Sequence, residues 1–259
     1  MIRTWSLLLL SLSSLTACGN GIGAPPSYDW DRGATTTIAS LNEDGGMVPQ
    51  MMRFASSLYG DDYVMLAGDG KLYFGTPSQA SVRQLDEQEM QLLLARIRPD
   101  LFQRYEPHYD LVQATDLPIT WLSVQVKGYP SSSVSIYGLD FSGEGEPQAQ
   151  LPVDLTTAVR ALREAAAGGA VLHPTRLLVG AATAQPAELA AVDTSKAAEW
   201  PLPEIDLAKL SLEKSGAATL TGAQVEAVLP LLQSSSSWQG TLLRQGSDYF
   251  WVGYSVVLF

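Results

Sequence analysis

The sequence predicts an α+β body, antiparallel sheets with helices packed on one face, and three observations carry that expectation. Leu122, Val124 and Val126 alternate with Ser123, Gln125 and Lys127, the period-two pattern of a sheet with one wet face. Two other stretches place apolar residues at helical spacing: Met90, Leu93, Leu94 and Ile97, then Val225, Val228, Leu229 and Leu232. Residues 60–140 also read in the order hairpin, helix, hairpin.

Taken in order, the first hairpin pairs Tyr63 to Ala67 with Lys71 to Phe74 across Asp69-Gly70, a pair suited to a type I′ turn. A helix follows with Asp86 as N-cap and Glu89 completing a capping-box pair, and Pro99 marks its end. The second hairpin turns around Gly128 to Ser131 into Ser133 to Leu139. Gly143 to Pro147 reads as a loop, and Asp154 as the cap of a helix carrying Leu155, Val159 and Leu162. Arg176 to Thr183 reads as a strand, and Pro186 to Leu210 as a long Ala/Pro-rich connection that Trp200 could dock. A helix starting at Thr221, with Gln224 in the capping-box position, leads to Thr241 to Arg244, a turn at Gln245 to Ser247, and Tyr249 to Phe259. That last strand is apolar on both faces, which predicts a central, buried position. Met90 and Val225 are 135 residues apart, as are Ile97 and Leu232, so two pseudo-repeated hairpin-helix-hairpin halves are an expectation to test.

The N-terminus sets the location. Arg3 precedes an apolar run from Trp5 to Leu15 that is too short to span a bilayer, which takes about 20 apolar residues. Leu15-Thr16-Ala17-Cys18 resembles a bacterial lipobox, an aliphatic residue and two small ones before the cysteine that takes the lipid. That resemblance implies cleavage before Cys18 and acylation of its thiol and new amine. The organisation expected is therefore a signal peptide at 1–17 and a lipid-anchored flexible tether at 18–33. An N-terminal half at 34–147 and a C-terminal half at 148–259 follow, as two units or one domain. Gly19 at the position after the cysteine favours delivery to an outer membrane, facing the periplasm, in a Gram-negative cell.

The formal charge of −11 argues against a nucleic-acid partner, whose phosphates call for Lys and Arg. It also argues against anionic headgroups as the docking surface, so the acyl chains must anchor the body. Cys18 is the single cysteine, leaving the exported body without a disulfide, a thiolate nucleophile or a Cys-ligated metal.

Motifs that could carry chemistry are few. Glu106, His108 and Asp110 alternate, so an extended segment puts three metal-ligand types on one side, although a solvated loop around Pro107 explains them as well. Ser211 to Lys214 matches S-x-x-K, the acyl-enzyme motif of β-lactamases, but the companion K-T-G and S-D-N are absent, as is a G-x-S-x-G elbow. Glu144 and Glu146 read as solvated, and Gly19, Gly21 and Gly23 as linker glycines rather than a phosphate loop. No cofactor is expected. Trp121 and Trp251 fall in strands and read as core, whereas Trp200 and Trp238 fall in loops, where an exposed indole could anchor a partner.

The DG-turn hairpin, Val134-Ser135-Ile136-Tyr137-Gly138-Leu139, Trp200-Pro201-Leu202, Leu220-Thr221-Gly222-Ala223 and a terminal apolar hairpin follow one another in this chain. Together they resemble a family of uncharacterised bacterial lipoproteins, a domain of unknown function, which has no catalytic residues to carry over. The resemblance implies an envelope lipoprotein acting as an interaction or assembly module with an envelope protein partner. A glycan- or small-ligand-binding lipoprotein and an envelope serine hydrolase are the alternatives. The lipobox reading predicts that Cys18→Ala abolishes incorporation of labelled palmitate and releases the body from the membrane fraction.

Overall fold

Described by the computed structural model are residues 27–46, 58–140, 151–210, 216–234 and 240–259. The lipobox with Cys18, Glu144 and Glu146, the Ser211 to Lys214 motif and Trp238 lie outside them.

Strand β1 (Thr37–Gly45) pairs antiparallel with β2 (Asp62–Ala67), which turns into β3 (Lys71–Thr76) and then β4 (Gln79–Gln84). The β2–β3 connection is not type I′, because Gly70 alone takes a positive φ (84°) while Asp69 does not. Gly70 N donates to Ala67 O, and the left-handed glycine then closes a longer loop. Asp69 instead accepts from Lys71 N, holding the strand start.

Helix α1 (Glu87–Ile97) begins with the expected capping box: Glu89 N donates to Asp86, and Asp86 N donates to the Glu89 carboxylate. Its buried stripe is Met90, Leu93, Leu94 and Ile97, as the spacing predicts. The helix stops at Arg98, a non-glycine residue in the left-handed region (φ 58°) whose N–H returns to Leu94 O. A 3₁₀ turn, Pro99–Arg104, leads to β5 (His108–Asp110), β6 (Pro118–Val124) and β7 (Ser132–Tyr137). Helix α2 (Val153–Ala165) starts after Pro152 without a side-chain cap, so Asp154 supports the first turn by charge rather than by capping. Strand β8 (Ala170–Val171) then closes an eight-stranded sheet of order β5-β7-β6-β1-β2-β3-β4-β8.

The second sheet starts with β9 (Arg176–Thr183), followed by α3 (Pro186–Leu189) and β10 (Ala198–Glu199). Then come β11 (Ala218–Thr221), α4 (Ala223–Gln233), β12 (Thr241–Gln245) and β13 (Asp248–Val256), in the order β10-β12-β13-β9-β11. Thr221 ends β11 instead of opening the helix, which begins after Gly222 (φ 51°); the Gln224 side chain still accepts from Thr221 N. The apolar terminal strand β13 is central, as expected. Pairing is antiparallel except where β5 joins β7 and β10 joins β12.

Among the described residues the fold is therefore α+β. One face of the eight-stranded sheet, with Leu41, Val64, Leu66, Leu72, Leu122 and Ile136, packs beneath α1 and α2. Tyr63, Met65 and Tyr73 point the other way and share a second core with β9, β13, α4 and Trp200. No duplication is visible in the topology. The hairpin after α1 joins its sheet through β6, its first strand, whereas the hairpin after α4 joins through β13, its second. The boundary between sheets also falls after Val171, not at 147/148, because α2 and β8 belong to the first sheet.

The tether ends earlier than expected. Trp30 is 1% exposed, its indole N–H donating to Gly68 O. Tyr28 is equally buried, exchanging backbone bonds with the Gln91 side chain and donating its hydroxyl to Asp100. Residues from Tyr28 onward thus belong to the body.

Asp100 secures this N-terminal strap. Its hydrogen bonds from the Arg98 guanidinium and from Tyr28 hold its carboxyl down at about 2, against partial burial that opposes them. A carboxylate depressed below its unfolded value of 3.8 stabilises the fold above that pH, and the contribution is lost as pH falls towards 2. Asp100→Asn should therefore cost about 1–2 kcal/mol in urea unfolding at pH 7. The gap to the parent protein should close between about pH 4 and pH 2.

Candidate functional site

The second sheet covers only the β2–β4 side of the eight-stranded sheet, because Tyr63, Met65, Ala67, Tyr73 and Ala80 are the residues of this sheet that enter the shared core. Among the described residues, no element of the second core packs on the same face of β1, β6, β7 and β5. Register places one row of side chains across it: Tyr63, Asn42, Trp121, Ser135 and His108, from five adjacent strands. Adjacent strands are spaced by about 4.8 Å, so the row extends roughly 19 Å. A parallel row of Met65, Ser40, Ser123 and Ser133 lies beside it, with the Ser123 and Ser133 hydroxyls 2.9 Å apart.

Trp121 stands at the centre and is 42% exposed, which corrects its reading as core. Its neighbours Leu122 and Val124 point into the helix-covered core, and alternation turns Trp121 to the uncovered side. Directly across from it, the Asn42 side-chain oxygen is shielded from solvent yet has no hydrogen-bond partner among the described residues.

On the other flank, His108 bridges Ser135 and Asp110: Nδ1 lies 2.7 Å from Ser135 Oγ and Nε2 lies 2.9 Å from Asp110 Oδ1. The roles depend on the tautomer: with the ring proton on Nε2, Asp110 accepts it and Nδ1 competes with Pro107 O for the one proton of the Ser135 hydroxyl. The three side chains follow the order of a Ser-His-Asp arrangement, which spacing within β5 could not reveal because Ser135 comes from a different strand. Ser135 is nonetheless only 5% exposed, enclosed between the Trp121 and His108 positions, and its hydroxyl also reaches Pro107 O at 3.2 Å. The arrangement fixes the imidazole on the open face more readily than it admits a carbonyl to the serine.

Glu106, His108 and Asp110 do not assemble as three metal ligands. Both ring nitrogens are engaged, and no group of three or more His, Cys, Asp or Glu among the described residues could hold an ion. Trp200 is 3% exposed and does not serve as a surface anchor. Its indole N–H donates to Ile205 O at 3.1 Å, which pins the Pro-rich connection onto the second core.

A second cluster lies at the far end of β1. Glu43 and Asp62 sit opposite each other on adjacent strands, with Arg163 above them ion-paired to Asp140. Burial pushes both carboxyls up, and nearby Asp140 adds to the effect. The cavity they line with Leu41, Val64 and Thr120 measures about 30 Å³, enough to admit water.

Comparison with known proteins returns no matching family model, no matching curated protein and no matching solved structure. Among the described residues, no helix is long and apolar enough to cross a membrane.

The two tryptophans should separate cleanly. Trp200→Ala is expected to cost about 3–5 kcal/mol in urea unfolding, and Trp121→Ala less than about 1 kcal/mol.

Proposed function

We propose that the chain is a lipid-anchored protein of the bacterial cell envelope, acylated at Cys18, whose body is a non-enzymatic interaction module. The observation that carries this reading is the open sheet face centred on Trp121. A large indole is held there on rigid strands, beside an unsatisfied Asn42 acceptor and a positioned His108, with no cost in core packing. Exposed aromatics so mounted supply contact area at low conformational cost, and the polar groups around them supply orientation. The likeness to uncharacterised bacterial lipoproteins belongs to the same proposal, as does outer-membrane placement facing the periplasm in a Gram-negative cell. The partner is an envelope protein, and nucleic acid is disfavoured by the charge.

One feature favours a second reading, a glycan-binding lipoprotein. A flat indole flanked by the Ser123 and Ser133 hydroxyls can stack on a sugar ring and bond its hydroxyl groups.

The test uses the full, lipidated chain with a photo-crosslinking residue at position 123, beside the intact indole. A single abundant crosslinked protein, lost when Trp121→Ala is added to a protein of unchanged stability, supports the interaction module. Crosslinking unaffected by Trp121→Ala removes this face from the reading. Release of the partner by neutral oligosaccharides, or their capture in its place, selects the glycan reading.

A further inference from the structure

Tyr28 is where the N-terminal segment joins the body, and what surrounds it bears on how an anchored body would sit. Its ring contacts that of Tyr129, centroids 5.8 Å apart, in the turn between β6 and β7. Asp29 bridges Lys127 in the same turn, and Trp30 bonds to Gly68 in the β2–β3 turn. The chain therefore enters at the end of the sheet where these two turns lie. Cys18 precedes Tyr28 by ten residues, a length that reaches at most about 35 Å when fully extended.

The two ends of β1 differ in charge. At the entry end, Asp29 pairs with Lys127, Arg32 with Glu87, and Asp69 with Lys71. Asp31 and Asp86 direct their carboxylates to the backbone N–H groups of Gly33 and Glu89. At the other end, about 25 Å along the strand, Glu43, Asp62 and Asp140 gather around Arg163, with Asp61 beside Glu43 and the exposed Asp44 next to it in β1. Carboxylates brought against a bilayer lose hydration and are repelled by anionic headgroups, and the entry end, where Lys127, Arg32 and Lys71 each face a carboxylate and an amphipathic aromatic forms the tip, incurs less of both costs than the acid-rich end. Tyr129, 37% exposed at that tip, is a residue type that settles at the membrane–water boundary.

Resting on the lipid-anchor proposal above, the geometry points to one orientation: the body docks on a zwitterionic lipid surface with the β6–β7 turn, Tyr129 foremost, against it and the acid-rich end turned away. The lipid on Cys18 holds the bilayer within reach of this end of the molecule, so the bilayer is the surface it meets at the highest effective concentration. The Trp121 face then stands roughly upright, facing sideways into the compartment.

The experiment places an environment-sensitive fluorophore on a cysteine introduced at Ser131→Cys or at Asp44→Cys, both exposed and at opposite ends of the sheet. Each full-length protein, lipidated at Cys18, is bound to phosphatidylcholine vesicles carrying a headgroup nitroxide quencher. The orientation predicts at least threefold stronger quenching at position 131 than at position 44, reduced by adding Tyr129→Ser while flotation with the vesicles persists. Equal or reversed quenching on protein that floats overturns the orientation and leaves the anchor standing. Protein that does not float, and behaves like its Cys18→Ala counterpart, overturns both.

Discussion

The structure depends on the burial of both faces of the β2–β3 hairpin. Val64, Leu66 and Leu72 point into the core beneath α1 and α2, while Tyr63, Met65 and Tyr73 point into the core shared with the second sheet. A strand pair with two buried faces binds the helix layer and the second sheet into one unit, because neither core can be opened without exposing side chains of the hairpin. The second sheet closes this contact through its C-terminal strand. Val256 N donates to Pro77 O, and the Tyr254 hydroxyl to Ser78 O, both in the turn after β3.

Two consequences follow from where that second sheet stops. It reaches β4 on one side and β2 on the other, which, among the described residues, leaves the face of β1, β6, β7 and β5 uncovered by the second sheet. With no second sheet packed on it, the face carries an exposed tryptophan and the solvent-facing Ser133 and His108, while Ser40 and Ser135 lie buried between their neighbours. The edge of this open region is β5, three residues paired in parallel with β7, whose imidazole is held between two strands by Ser135 and Asp110. A short edge strand of this kind offers little template for unwanted pairing.

The N-terminal strap links the proposed anchor to the same framework. Tyr28 and Trp30 dock at the end of the sheet bearing the β2–β3 and β6–β7 turns, with the Arg32 guanidinium 3.8 Å above the Trp30 ring. Such a strap would transmit any pull from a lipid to the hairpin common to both cores.

Local patterns in the chain determined much of this. The capping box at Asp86 and Glu89, the stripe of α1, the alternation of β6 and the central place of β13 were all legible, because each depends on neighbours a few residues away. Turn type at Asp69-Gly70 and the start of α4 were not, since Gly70 and Gly222 could each serve more than one backbone path and strand pairing chose between them. The matching stripes of α1 and α4 suggested a repeat, but amphipathic spacing records only that a helix has a buried face, not which strands lie beneath it. The aromatics show the same division. Trp200 in a loop could have been an exposed anchor or a plug onto the core and is buried, while Trp121 in a regular strand looked buried and is exposed. A residue's period tells which side of a strand it takes; whether that side is covered depends on a second sheet more than fifty residues away in the chain, and only the tertiary structure decided it.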